Sequence, residues 1–288
     1  MRSADLARLV ALAAIWGASF VFLRVLAPVL GAAWTAESRV LIAGLALTAW
    51  FRLTGFAPGW RRNAKVFVVI GLLNSALPFV LYGWAAQHLP AAVMAVVNAC
   101  TPLSGAVCAA IWLGEPLTRT RLGGIGCGIA GVAWLSFSRP AGGPLPDPQL
   151  LPAIAACLLA MLCYGLAGVY LKRCASAVAP LAIAGGSQLA AALWLLPLLP
   201  FAAPVGTLTG PVLASLLGLG LICSALAYGL YYRLIADLGP TRALTVTFLI
   251  PPFGVAWSAL LLGEPLSPAL AGSGVLIVAG TVLVLRGR

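Results

Sequence analysis

The pentapeptide Leu113-Gly114-Glu115-Pro116-Leu117 recurs as Leu262-Gly263-Glu264-Pro265-Leu266, 149 residues further on. Residues 75–139 align on 224–288 at that offset without a gap, and 19 of 65 positions are identical. Shared composition alone would give roughly 7, so the match marks an internal repeat. The identities include Ser75/Ser224, Tyr82/Tyr231, Pro102/Pro251, Gly105/Gly254, Gly123/Gly272 and Gly131/Gly280. The chain is a duplication of one unit.

Composition says in which solvent. Charged residues make up 8% of the chain and apolar ones 62%, against about 25% and 45–50% in a soluble domain. Six acids and seventeen bases cannot cover such a core in water, whereas lipid accepts an apolar exterior. One span takes about 20 mostly apolar residues. Apolar runs between turn and charge signals predict ten helices, near 6–26, 33–52, 65–85, 91–112, 120–138, 149–171, 178–200, 211–232, 240–262 and 267–285. The expected fold is an all-α membrane protein of ten transmembrane helices in two inverted five-helix repeats. The first repeat covers 1–139, a Pro/Gly-rich linker 140–148, and the second repeat 149–288.

The bases give the orientation. With the N-terminus inside, Arg2, Arg8, Arg52, Arg61, Arg62, Lys65, Arg119, Arg121, Lys172, Arg173, Arg233, Arg242, Arg286 and Arg288 all fall on the cytoplasmic side. Only Arg24 and Arg139 fall outside, and Arg39 lies within span 2. This bias predicts two cytoplasmic termini in a bacterial-type inner or plasma membrane. The run after Arg8 is read as an uncleaved first span rather than a signal peptide. Five spans per repeat force the second copy to enter the bilayer upside down. The first Leu-Gly-Glu-Pro-Leu then faces the cytoplasm and the second faces outside, a plan recurrent in carriers with a midplane site.

These residues resemble the EamA-type members of the drug/metabolite transporter superfamily. The resemblance covers essentially the whole chain. It rests on a Trp-Gly-x-Ser start (Trp16, Gly17, Ser19), Arg39 in span 2, the mid-span prolines, Leu-Gly-Glu, and a Gly-rich fifth span. The second half departs from it: Tyr164-Gly165 replaces Trp16-Gly17, and Gln188 stands in place of Arg39. The resemblance implies a secondary transporter working by alternating access, with relatives that export amino acids and other small metabolites. Import and drug efflux are the alternatives within transport. An intramembrane enzyme or a non-transporting subunit is the alternative of another class.

Polar groups inside spans are costly unless they pair or face a water-filled cavity. Asn74, Pro78 and Tyr82 recur at helical spacing in span 3, and Ser224, Tyr228 and Tyr231 or Tyr232 repeat the theme in span 8. Trp16 and Tyr164 offer aromatic faces. Asn98 and Thr247 precede Pro102 and Pro251 by one turn, where each proline frees a carbonyl that these side chains can satisfy or leave for a substrate. The expected substrate-binding set is therefore Trp16, Asn74, Tyr82, Asn98, Tyr164, Tyr228 and Thr247, with Pro102 and Pro251 as hinges. Glu37 and Arg39 are the candidate charged groups: Arg39 for a substrate carboxylate, for an anchor at the interface or for a lock between two helices, and Glu37 as the one intramembrane carboxylate. Glu115 and Glu264 read as turn residues, or as symmetry-related gates.

Gly126-Cys127-Gly128-Ile129-Ala130-Gly131 fits a dinucleotide fingerprint literally but sits inside an apolar span, where close helix packing or a dimer face is the better reading. His88, the single histidine, falls in a predicted outer loop. Seven cysteines without a Cys-x-x-Cys pair support neither a disulfide framework nor a zinc site. No catalytic residue, metal or cofactor is expected. The expected partners are a small-molecule substrate and the lipid bilayer, not nucleic acid, with the chain a monomer or homodimer.

Overall fold

The computed structural model describes residues 3–138, 148–204, 206–238 and 245–287. Arg2, Arg139, Arg242, Arg288 and nearly all of the 140–148 linker lie outside them. The described residues are helical and carry no strand. We number the helices α1 (Ser3–Thr54), α2 (Ala64–His88), α3 (Ala91–Leu113), α4 (Arg119–Phe137), α5 (Leu150–Cys174), α6 (Pro180–Phe201), α7 (Gly210–Leu217, continuing through Gly218–Leu226 and Ala227–Leu238), α8 (Val246–Leu262) and α9 (Pro268–Arg286). Seven are long and apolar enough to cross a membrane.

The loop expected between spans 1 and 2 is absent. Helix geometry runs from Ser3 to Thr54 and is interrupted only at Gly31, whose φ of 74° and ψ of 168° lie outside the helical region. A left-handed φ costs a side chain about 1–2 kcal/mol, which glycine avoids. One glycine thus does the work of a loop, and α1 comprises two stretches, 3–30 and 32–54.

The repeated pentapeptide is a helix stop used twice. Gly114 (φ 67°) ends α3 and Gly263 (φ 65°) ends α8, both left-handed. The next N–H reaches back in each case, from Glu115 to the Ala109 carbonyl and from Glu264 to that of Ser258, both at 3.4 Å. This is glycine-terminated helix capping. Pro116 and Pro265 stay in the turns and do not begin the next helices. Thr118 and Ser267 cap them instead, accepting from the N–H of Arg121 and Leu270.

Local periodicity is repeated too, and it departs from the α-helix. A wide π turn occupies Leu72–Ala76 in α2 and Gly218–Leu226 in α7. Each inserts an extra residue per turn and so rotates the C-terminal part of its helix.

Contacts between the halves exchange under the 149-residue offset. A Cβ on Gly71 would stand 2.9 Å from the backbone nitrogen of Ala191, and one on Gly220 would stand 2.6 Å from Ile42. The pair Gly71/Ala191 maps onto Gly220/Ile42. A looser parallel lies nearby: Gly17 presses on Phe253 and Gly254, and Gly165, 148 residues after Gly17 and so one short of the offset, presses on Ser104 and Cys108. The glycines of α4 serve the chain's own packing: Gly124, Gly128 and Gly131 meet Gly280, Leu103 and Ile277, whereas Gly123 and Gly126 face open space. His88 is not in a loop. It is the last residue of α2, with its ring 5.0 Å from that of Trp84.

Candidate functional site

A chamber of about 360 Å³ lies between the two halves. Trp16, Asn74, Tyr82, Asn98, Tyr164, Tyr228 and Thr247 all line it, and so does Arg39. The π turns decide which faces do so. An ideal helix would present Asn74, Pro78 and Tyr82 together, but Pro78 is not in the lining and Phe79 is. Beside Ile70, the lining positions of α2 are Asn74, Phe79 and Tyr82, and these three match the lining positions Cys223, Tyr228 and Tyr231 of α7. Each differs from its counterpart by 149. The uneven spacing is the signature of the inserted residue. The side chain of Tyr232 lies outside the described residues.

Phe20, Phe79, Thr101 and Ser187 also line the chamber and were not expected. Phe79 was legible through the repeat, as the counterpart of Tyr228. Thr101 resolves the proline question. Its hydroxyl donates to the carbonyl of Asn98 at 2.7 Å, the acceptor that Pro102 leaves free. The Asn98 side chain is thereby released, and Tyr82 donates to its Oδ1 at 2.9 Å. The two prolines differ in setting. Helix α3 is interrupted at Ala99 and Cys100, just ahead of Pro102, whereas α8 runs unbroken through Pro251 and Pro252.

Two buried polar side chains cross between the halves. Arg39 Nε donates to Ser224 Oγ at 3.0 Å, and Gln188 Nε2 donates to Ser75 Oγ at 3.2 Å. Arg39 maps onto Gln188, and Ser75 onto Ser224. The aromatic neighbours map as well. The Arg39 guanidinium lies 3.9 Å from the ring centroid of Phe79, and Gln188 Nε2 also donates to the Tyr228 hydroxyl at 3.3 Å. One arrangement is built twice, charged in one half and neutral in the other. The interface-anchor alternative for Arg39 does not hold: it is 8% exposed and turned into the chamber.

The chamber leads to one end of the molecule. A wider cavity of about 1060 Å³ shares Thr101, Tyr164, Gly168 and Thr247 with it and extends to Glu115, Arg121, Lys172 and Arg286. Glu37 is buried, lines neither space, and leaves Oε2 without a hydrogen-bond partner. Glu115 accepts from Lys172 Nζ at 2.8 Å and from Arg121 at 3.3 Å. Lys172 foremost, with Arg121 assisting, holds its carboxyl below the usual carboxylate range against some desolvation. That ionic contact is intact at neutral pH and is lost only as pH falls through the lowered value.

The opposite end is packed shut. Leu26, Leu30, Leu89, Ala91 and Met94 are buried there in one apolar cluster. Glu264 sits against it, accepting from the N–H groups of Ala91 and Ala92 at 2.9 and 3.1 Å and from the Ser258 hydroxyl. Its carboxylate therefore caps the start of α3, where the helix dipole favours negative charge, while Glu115 follows the end of the same helix. Twenty-three residues at about 1.5 Å each separate the two ends by roughly 34 Å.

Long apolar helices closed around a chamber of metabolite size fit an integral membrane protein that handles small molecules. Residues 6–137 and 151–286 each match the EamA-like transporter family, and the chain belongs to that family. A "Probable terminal-alkyne amino-acid exporter" of Streptantibioticus cattleyicolor is 28% identical over 273 residues, covering 94% of this chain and 90% of that protein. An uncharacterized protein of Pseudomonas aeruginosa is 32% identical over 236 residues, covering 80% and 74%. A crystal structure 22% identical in sequence superimposes with a TM-score of 0.65 over 98% of this chain and 96% of its own.

Proposed function

We propose that the chain is a secondary transporter that exports amino acids or closely related small metabolites by alternating access. The observation that carries this is the exchange of inter-half contacts under the 149-residue offset, around one chamber that opens at one end and is plugged at the other. A pseudo-twofold carrier reaches its second state by exchanging the conformations of its two halves. In this reading α1 supplies two spans through the break at Gly31, giving ten spans in two inverted repeats, 1–139 and 149–288. Support for the inversion comes from Glu115 and Glu264 flanking opposite ends of α3. The bases around the wide cavity (Arg121, Lys172, Arg286) make that end cytoplasmic, with both termini on the same side of an inner-type membrane.

The substrate sits among Trp16, Asn74, Tyr82, Asn98, Tyr164, Tyr228 and Thr247, and the interruption before Pro102 is the hinge of the first half, with Pro251 its counterpart. Export and the amino-acid class are drawn from the relative in Streptantibioticus cattleyicolor. The test is flux in proteoliposomes containing only this chain. The triple variant Asn74→Ala, Tyr82→Ala, Tyr228→Ala is expected to reduce amino-acid flux at least tenfold while inserting normally, as judged by membrane yield and gel filtration. Unchanged flux through the triple variant rejects the chamber as the substrate site.

A further inference from the structure

We infer that Arg39 is a carboxylate anchor, and that the chamber selects small molecules bearing a free carboxylate. The inference rests on the transporter reading and names the residue and the chemical group through which that site holds its substrate. A cation taken out of water is costly unless paired. Arg39 is 8% exposed and forms no ion pair with any described residue. Only its Nε is engaged, by Ser224 at 3.0 Å, while one face of the guanidinium rests on Phe79 at 3.9 Å. These two contacts fix the plane of the group without neutralising it. The two terminal nitrogens donate to no described residue, which leaves the edge that binds a carboxylate through two parallel hydrogen bonds. No Asp, Glu or Lys lines the chamber, so Arg39 is its one formal charge among the described residues.

The repeat supplies an internal comparison. At the equivalent position Gln188 makes the matching contact to Ser75 without a charge. Bridging the halves therefore does not require an arginine. The charge is a property of one half, as expected if it serves an asymmetric ligand rather than the fold. The rest of the lining suits the other end of such a ligand. Trp16, Tyr82, Tyr164 and Tyr231 offer aromatic faces for an ammonium or an apolar side chain.

The experiment measures binding to the purified full-length protein by tryptophan fluorescence, Trp16 being in the lining. The probes are a panel of proteinogenic amino acids and one terminal-alkyne amino acid, each also as its amide and as its decarboxylated amine. At least one free acid is expected to bind, with its amide and amine at least 30-fold weaker. Arg39→Gln should remove the preference and Arg39→Lys should retain part of it, because lysine supplies charge without the fork. Equal binding of acid and amide, or no binding by any free acid, overturns the proposal. If Arg39→Gln does not fold, the acid, amide and amine series on the unaltered protein still decides. Flux with no preference for the free acid sinks the anchor and leaves the transporter. Acid-selective binding without flux in proteoliposomes sinks the transporter and leaves the anchor.

Discussion

Gly280→Leu is expected to leave little folded protein. Helices α4 and α9 meet backbone to backbone. A Cβ on Gly124 would lie 2.5 Å from the carbonyl oxygen of Gly280, and one on Gly280 would meet the Gly124 carbonyl and stand 2.9 Å from the Gly128 nitrogen. These are main-chain atoms and cannot rotate away. Overpacking a side-chain core costs about 1–3 kcal/mol, and here the helices themselves must separate along their seam. Small residues at such contacts drive helix association in lipid, where no hydrophobic force acts between helices. We expect a loss of at least about 3 kcal/mol, at the upper end of that range. Gly123→Leu and Gly126→Leu are the controls: both positions face open space, and leucine has a higher helix propensity than glycine by up to about 1 kcal/mol. Thermal unfolding in detergent, read by the monodisperse fraction, checks this. A Gly280→Leu protein melting with the unaltered one would show that this contact is not made.

Glu264→Ala is expected to unlatch the closed end. The carboxylate holds the start of α3 through two backbone N–H groups and the Ser258 hydroxyl. Hydrogen bonds to a charged group contribute about 1.5–3 kcal/mol each, and every 1.4 kcal/mol shifts a two-state equilibrium about tenfold. Losing the latch should raise the population open at that end by at least about tenfold. Cys223, in the chamber wall and 1% exposed, is a native reporter. Its modification from outside by an impermeant thiol reagent should accelerate by the same factor, with export correspondingly reduced. Glu115→Ala should not do this. Glu115 is 32% exposed and its nearer partner, Lys172, is 66% exposed, a setting in which ion pairs contribute little. Equal acceleration by both variants would contradict a latch at residue 264.

Much of this architecture was legible because the chain states it twice. The repeat offset marked the two Leu-Gly-Glu-Pro-Leu turns and set Gln188 in the place of Arg39, and apolar runs marked most of the spans. Three things were hidden. A single left-handed glycine does not look like a loop, so the continuity of α1 through Gly31 escaped a reading that expects several residues between spans. A π turn leaves no mark on composition, so Phe79 was passed over in favour of Pro78, one residue away on an ideal helix. The hydroxyl that satisfies a proline-freed carbonyl belongs to Thr101, not Asn98, because the neighbouring residue reaches that oxygen without turning its back on the chamber. The exchange of hydrogen bonds between Arg39/Ser224 and Gln188/Ser75 was hidden as well, since the offset relates the residues but does not say which touch.

Positions 117 and 266 give the most direct measurement of the antiparallel arrangement. They are counterparts in the repeated pentapeptide, and Leu117 and Leu266 are both exposed. In a background carrying Cys174→Ser, which removes the exposed native thiol, an impermeant maleimide on intact cells should label the Leu266→Cys protein. It should label the Leu117→Cys protein only after the membrane is opened. Labelling of both from the same side would mean that the two copies enter the membrane in the same sense, and the carrier built on their opposition would not stand.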